Sequence, residues 1–223
     1  MTGRRLSDWT PRPGPGRQIL HGRTVRLVPI EDEAPLGALW QAFSADPEGA
    51  IWRYLPYGPF PDEAAFRQAA ARLHATDGLF FHAFVPERSS RAEGVAALMR
   101  IDEANGVGEI GHVCFSPRLQ GTVEATEGLF LLMDRLLGQL GYRRLEWKCN
   151  AANAASRRAA ERLGFTFEGI FRQHLVVKGE NRDTAWFSVI DGEWPALRAR
   201  FERWLDPSNF DGEGRQIKAL RAI

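Results

Sequence analysis

The chain has 223 residues, 44% hydrophobic and 26% charged, enough apolar material for one soluble domain with a substantial core. Its 29 Lys and Arg residues balance 28 Asp and Glu residues, so no global field draws it to nucleic acid or to a membrane surface. The two cysteines, Cys114 and Cys149, form neither a disulfide framework nor a CxxC metal motif, and no apolar run approaches the ~20 residues of a membrane span.

Residues 1–21 are rich in Pro, Gly and Arg without periodicity, and are expected to form an arm, mobile or draped on the surface, with Trp9 as its anchor. Basic residues near the start have no apolar stretch behind them, so the segment does not read as a secretory signal, and the cytoplasm is the expected location. Residues 23–30 alternate polar and apolar and predict a first strand that Pro29 confines to an edge or an end. Asp32 is the expected N-cap of a helix carrying Leu36, Leu39, Trp40 and Phe43, and Asp62 caps a second with Phe66, Ala69, Ala70 and Leu73. Between them, residues 51–61 are too rich in proline for regular structure yet carry Trp52, Tyr54, Tyr57 and Phe60. Such a loop either lines a substrate pocket or caps the core with its aromatics; Trp52, Tyr54 and Tyr57 are the substrate-binding candidates.

Residues 79–85, 94–101 and 108–115 read as an antiparallel meander, with Gly111 marking a bulge or a close backbone approach. A polar turn at 116–122 feeds a long helix with Leu129, Leu132, Met133, Leu136, Leu137 and Leu140 on one face, and Glu127, Asp134 and Arg135 on the other, ended by Gly141. Residues 142–150 form the next strand, completing a β–α–β crossover, and Asn153 caps a helix with Ser156, Ala160 and Leu163 inward and Arg157, Arg158, Glu161 and Arg162 outward. Two further strands, a helix over 191–205 and a mixed tail complete the chain. The expected divisions are an arm (1–21), one domain (22–205) and a tail (206–223).

The chemistry concentrates in residues 116–165. A turn opening a helix gathers free backbone N–H groups at a positive helix end, which suits a pyrophosphate. No GxxxxGK[ST] and no GxGxxG accompanies it, which argues against a nucleotide or dinucleotide site. The ordered set of strand, PRLQGT turn, amphipathic helix, strand, NAANAAS, then ERLGF and EG is more specific. It resembles the GNAT superfamily of N-acetyltransferases, nearest its ribosomal-protein N-terminal acetyltransferase-like branch, over residues 22–204 and most specifically over 107–190.

That resemblance implies a mixed α/β (α+β) fold: a mostly antiparallel sheet of about seven strands, splayed at the acetyl-CoA site, with helices on both faces. It also implies acetyl-CoA as co-substrate without a metal. The acceptor is then a small-molecule amine or a protein N-terminus, with no nucleic-acid or membrane partner, and the protein is a monomer or homodimer. The pyrophosphate loop falls on Arg118, Leu119, Gln120, Gly121, Thr122 and Val123, where Val123 replaces the usual Gly or Ala. Thr122 and Thr126 offer hydroxyls to phosphate, in competition with helix capping. His112, Val113, Cys114 and Phe115 resemble the strand that pairs with pantetheine, and Asn153 the amide that bonds it, in competition with its N-cap role.

Transfer requires a neutral amine, a donor for the oxyanion and a proton for the departing thiolate. The backbone N–H at Val113 or Cys114 is the oxyanion donor. Some GNAT members supply the proton from a helix tyrosine; Ala160 occupies that place here, and Ser156 one turn earlier is the substitute acid. Lys148 stands where the branch sometimes has a glutamate base, leaving Glu109 and His112 as candidates. Cys114 and Cys149 lack an evident His–Asp partner set, so direct transfer is expected. Asp183 is expected to pair with Arg182 on the surface. Val123, Lys148 and Ala160 keep a rival open, a degenerate acyl-CoA-binding sensor or interaction module.

Overall fold

Short alternating segments form strands β1 (Leu20–His21), β2 (Val25–Pro29), β3 (Phe80–Pro86), β4 (Gly94–Asp102), β5 (Val107–Phe115), β6 (Arg144–Asn150), β7 (Thr166–Val177) and β8 (Glu180–Ile190) in a computed structural model that describes residues 6–223. Residues 1–5 of the expected arm lie outside the described residues. The strands join in one sheet in the order β1-β2-β3-β4-β5-β6-β8-β7. Every neighbouring pair is antiparallel except β5 and β6, which run parallel because a helical crossover connects them.

The sheet has eight strands rather than seven. The additional strand is β1, inside the segment read as an arm, and it pairs Leu20 with Leu27 at the sheet edge. The rest of the described arm is draped on the body. Trp9 Nε1 donates to Ala104 O at 2.8 Å, and its ring lies under the guanidinium groups of Arg12 (4.5 Å) and Arg143 (5.3 Å).

Helices α1 (Leu36–Phe43) and α2 (Glu63–His74) cover one face of the sheet, burying Leu36, Leu39, Phe43, Phe66 and Ala70 against Phe81, Ala83 and Ala97. Helices α3 (Val123–Met133), α4 (Ala154–Leu163) and α5 (Trp194–Leu205) cover the other face, around Leu132, Met133, Leu163, Phe187 and Phe201. Asp62 caps α2 as expected, accepting from Ala65 N at 2.8 Å. Asp32 does not cap α1. It accepts from Ala34 N in a local turn, and Pro35 occupies the N-cap position without a side-chain bond.

The long helix is not uniform. Beyond Met133 it widens into a π-helical segment, Asp134–Gln139, where Leu140 N reaches back five residues to Arg135 O at 3.2 Å. Glu127, placed by periodicity on the polar face, is buried. Its carboxylate accepts from Arg23 N and Thr24 N, both at 2.7 Å, and so ties the turn between β1 and β2 to α3.

Candidate active site

The parallel pairing of β5 with β6 runs only from Val107–Arg144 to Ile110–Trp147. Beyond it the strands separate: β5 stays with β4, and β6 stays with β8 up to Asn150–Thr184. The change of course is built into β4 and β5 by two bulges. Four residues of β5 (Gly111 to Cys114) oppose three of β4 (Ala97 to Val95), and four of β4 (Met99 to Asp102) oppose three of β5 (Glu109 to Val107). His112 (φ 51°) and Arg100 (φ 48°) take the left-handed conformation at these points. Gly111 lets the Met99 side chain lie against the backbone: a Cβ there would stand 2.3 Å from Met99 Sδ and push that side chain aside. The gap opens into a cleft of about 870 Å³.

The turn from Ser116 to Thr122 closes one end. Leu119 N and Gln120 N both donate to Ser116 O, and Gly121 turns the chain with φ 74° in open space. Thr122 is the N-cap of α3, its hydroxyl accepting from Ala125 N at 3.2 Å and donating to Leu119 O at 2.8 Å. The N–H groups of Gly121, Val123 and Glu124 have no partner among the described residues, which leaves the helix start able to hold an anion. Val123 is compatible because it is the first helical residue, and its side chain packs toward the core instead of into the cleft. Arg118 is exposed outside the cleft lining, and the Gln120 side chain folds back onto Phe115 O at 2.9 Å. Glu124 would repel a phosphate from the first turn, but Arg88 pairs with it at 2.9 Å while also bonding Glu93.

The foot of the cleft brings together Ser156, Cys149 and Trp147. Trp147 Nε1 donates to Ser156 Oγ at 3.0 Å, which occupies a lone pair of the hydroxyl and turns its proton toward the neighbouring Cys149 sulfur. Burial raises the Cys149 thiol above its ordinary value, opposed by a hydrogen bond with Ser156. Asn153 Oδ1 accepts from Ser156 N at 3.1 Å, so this amide is the α4 N-cap while its side chain still borders the cleft. Thr126 is buried, donating to Thr122 O at 3.1 Å and accepting from Arg162 at 2.7 Å. Arg162, expected on the water face of α4, therefore turns back across the cleft. On the opposite wall His112 stacks on Tyr57 (5.6 Å, 7°), sharing a 3.1 Å hydrogen bond between Nδ1 and the phenol. Burial, helped by Arg100, depresses His112 to about 4, and burial raises the Tyr57 phenol and the Cys114 thiol.

Beside His112 runs a network of charged side chains from β4, β5 and β6. Lys148 Nζ lies 2.9 Å from Glu109 and 2.6 Å from Glu146, over the ring of Trp186 at 4.0 Å, and Arg100 reaches Glu109 at 3.2 Å. Burial pushes the Glu109 carboxyl up against the opposing pull of Lys148 and Arg100. Burial acts the same way on Glu146, but hydrogen bonds from Lys148 and Arg144 prevail and hold it below its ordinary value.

The aromatic loop divides its residues between the two readings of it. Tyr54 borders the cleft and donates to Ala152 O at 3.2 Å. Tyr57 backs His112. Trp52 is not on the cleft wall: it is buried edge-on to Phe43 and Phe60 in the core beneath α1 and α2. Its carbonyl accepts from Lys178 Nζ at 2.9 Å, so the loop is tied to the β7–β8 turn as well as to the start of α4. Asp183 does not pair with Arg182; it accepts from Gln173 N at 2.7 Å and fixes the irregular stretch of β7.

Of the expected residues, Ser156, Glu109, His112, Val113, Cys114, Phe115, Gln120, Gly121, Thr122, Thr126, Asn153 and Tyr54 line one cleft, whereas Arg118, Val123, Trp52 and Tyr57 do not. The sequence reading missed Trp147, Arg100, Arg162 and the Arg88–Glu124 pair. Alternation along β6 places Trp147 and Lys148 on opposite faces, a signal for the first; the arginines carry none, because their reach crosses elements. Among the described residues no group of three or more His, Cys, Asp or Glu side chains is placed to hold a metal ion.

Comparison with known proteins agrees with this geometry. Residues 24–166 match the family model described as the acetyltransferase (GNAT) domain. The crystal structure of a GCN5-related N-acetyltransferase from Brucella melitensis superposes with a TM-score of 0.94 at 47% identity, covering 97% of this chain and 98% of that one. An uncharacterized N-acetyltransferase, p20, from Bacillus licheniformis is 26% identical over 77% of this chain and 94% of its own length. The fold is also that of RimL, a ribosomal L7/L12 alpha-N-protein acetyltransferase in complex with coenzyme A, at TM-score 0.63 and 23% identity, covering 78% of this chain and 99% of RimL. The chain belongs to the GNAT acetyltransferase family, whose members transfer acetyl groups.

Proposed function

We propose that the protein transfers the acetyl group of acetyl-CoA to a primary amine by direct attack in a ternary complex. The observation that carries this reading is the divergence of β5 from β6 beyond Ile110 and Trp147. It opens one edge of β5, with a helix start at one end of the gap and Ser156 at its foot. The N–H groups of Gly121, Val123 and Glu124 would hold the pyrophosphate, and the free edge of β5 from Gly111 to Phe115 would pair with the pantetheine arm as an added strand.

In the transfer step the amine nitrogen bonds to the acetyl carbon and the carbon–sulfur bond breaks. The N–H of Val113 or Cys114 faces the oxygen on which negative charge develops. Ser156 gives its proton to the departing thiolate; the Trp147 indole fixes the hydroxyl for that donation. For removal of the amine proton, His112 is favoured over Glu109. Glu109 is held by two cations, whereas His112 stays neutral at pH 7, and in the tautomer whose Nδ1–H donates to the Tyr57 oxygen its Nε2 keeps a free lone pair for the proton. The acceptor is a small amine or a protein N-terminus such as RimL acts on.

Two measurements test this. Calorimetry is expected to show acetyl-CoA binding, and absence of binding at high concentration sinks the reading. Ser156→Ala is expected to lower kcat by roughly 10²-fold while leaving acetyl-CoA affinity within about twofold; an unchanged kcat removes Ser156 from the mechanism.

A further inference from the structure

Charges run away from the cleft in a chain of alternating sign, of which Lys148, Glu109 and Arg100 line the cleft itself. Glu168, Arg144, Glu146, Lys148, Glu109 and Arg100 follow one another with contacts of 2.6, 2.8, 2.6, 2.9 and 3.2 Å. Three carboxylates meet three cations, so the chain is neutral. Arg182 stands beside it without belonging to it. Its side chain lines the cleft and is half-buried, and its Nε is shut off from solvent without a hydrogen-bond partner. No carboxylate among the described residues pairs with it, although Glu109 and Arg100 are both near enough to act on its charge.

The strand register explains why. Strand β6 ends at Asn150, opposite Thr184, so Arg182 lies two residues past the last paired position of β6. It is on the same side of β8 as Thr184 and Trp186, toward the space that the separation of β5 and β6 leaves open. A guanidinium held partly out of water without an anion is unfavourable, and its planar fork matches a carboxylate. The aromatic loop roofs the same cleft with Tyr54, Leu55 and Pro56, joined to Ala152 O through Tyr54 and to Lys178 through the Trp52 carbonyl.

We propose that the acceptor is a small primary amine that also carries a carboxylate, and that Arg182 holds that carboxylate beneath the roof of residues 54–56. This rests on the N-acetyltransferase reading above. A polyamine or an aminoglycoside would offer Arg182 no anion and would bring further positive charge beside it. A peptide would have to pass a roof tied down on two sides.

The test has a binding arm and a turnover arm. Calorimetry in the presence of CoA uses the N-acetyl derivatives of glycine, β-alanine, γ-aminobutyrate and glutamate, each against its primary amide, with wild type, Arg182→Gln and Arg182→Lys. CoA release is measured with the corresponding free amines, their amides, putrescine, and short peptides with acidic or basic second residues. At least one carboxylate is expected to bind, and its amine to react, roughly 10- to 100-fold better than the amide. Arg182→Gln is expected to abolish that preference through KM, Arg182→Lys to restore part of it, and CoA affinity to stay unchanged in both. Equal binding of acids and amides to wild type, a preference that survives Arg182→Gln, or peptides or putrescine outrunning every small acid overturns the proposal. Carboxylate binding through Arg182 without any turnover leaves the anion site standing and removes the transferase reading. Turnover of acids and amides alike does the reverse.

Discussion

The two ends of the cleft are made of different materials. At the α3 end the groups that would meet a ligand are backbone N–H donors, set by a Gly121 turn and a Thr122 cap within one local stretch of chain. At the other end they are the long charged side chains of Arg100, Glu109, Lys148 and Arg182, from four strands that meet only when the sheet is assembled. A backbone site depends on conformation and tolerates changes of side chain. A side-chain network depends on every partner, because removing one strands another buried charge.

Substitutions at the two ends should therefore differ in kind. Lys148→Met leaves Glu109 and Glu146 facing each other with their shared cation gone, and is expected to lower unfolding free energy by about 3–5 kcal/mol in urea titrations. A loss under about 1 kcal/mol would show that the network is solvated and that the contrast fails.

Acid should lower stability as well. Burial is the leading cause that depresses His74, His82 and His112 to about 4. The unfolded chain then binds more protons than the native one between pH 6.5 and 4. Stability should fall through that window and level off below it, with the almost fully buried His82 alone contributing on the order of 3 kcal/mol. Chemical denaturation at a series of pH values reads this slope, and a flat profile across the window contradicts it.

Gly121→Val is expected to cost about 1–2 kcal/mol from the left-handed backbone and to weaken acetyl-CoA binding roughly tenfold. Val123→Ala should change binding by less than about twofold, since that side chain is turned to the core. If Val123→Ala instead strengthens binding strongly, the loop is shaped by its side chains and the backbone description is wrong.

The same contrast explains what could be read from sequence. The turn, the cap at Thr122 and the cap at Asn153 are local, and their chemistry is written in neighbouring residues. So is the bulge beside Gly111, marked by a glycine within a strand pattern. Trp52 and Tyr54 are two residues apart in one aromatic loop, yet one is core and the other borders the cleft. Nothing local distinguishes them, because the packing of α1 and α2 decides. Glu127 was misplaced for a related reason: helical period assigns it to the polar face, and only the approach of Arg23 and Thr24 from more than a hundred residues away gives its carboxylate a buried role. Arg182 looked like the partner of adjacent Asp183, but successive strand residues point to opposite faces and Asp183 is engaged by Gln173 N.

The parting of β5 and β6 has a consequence for amide hydrogen exchange. Residues Val107–Ile110 of β5 have a strand on either side, whereas the segment from Gly111 to Phe115 is flanked by β4 alone. A single strand thus contains a doubly bordered half and a half-open one. The amides of the second half that point into the gap should exchange with deuterium much faster than those near Gly108 and Ile110. A molecule lying in the gap as an extended chain would slow alternate amides, those on the gap side, and leave their neighbours unchanged. That every-other-residue pattern would give the alignment of the bound arm residue by residue, without a crystal.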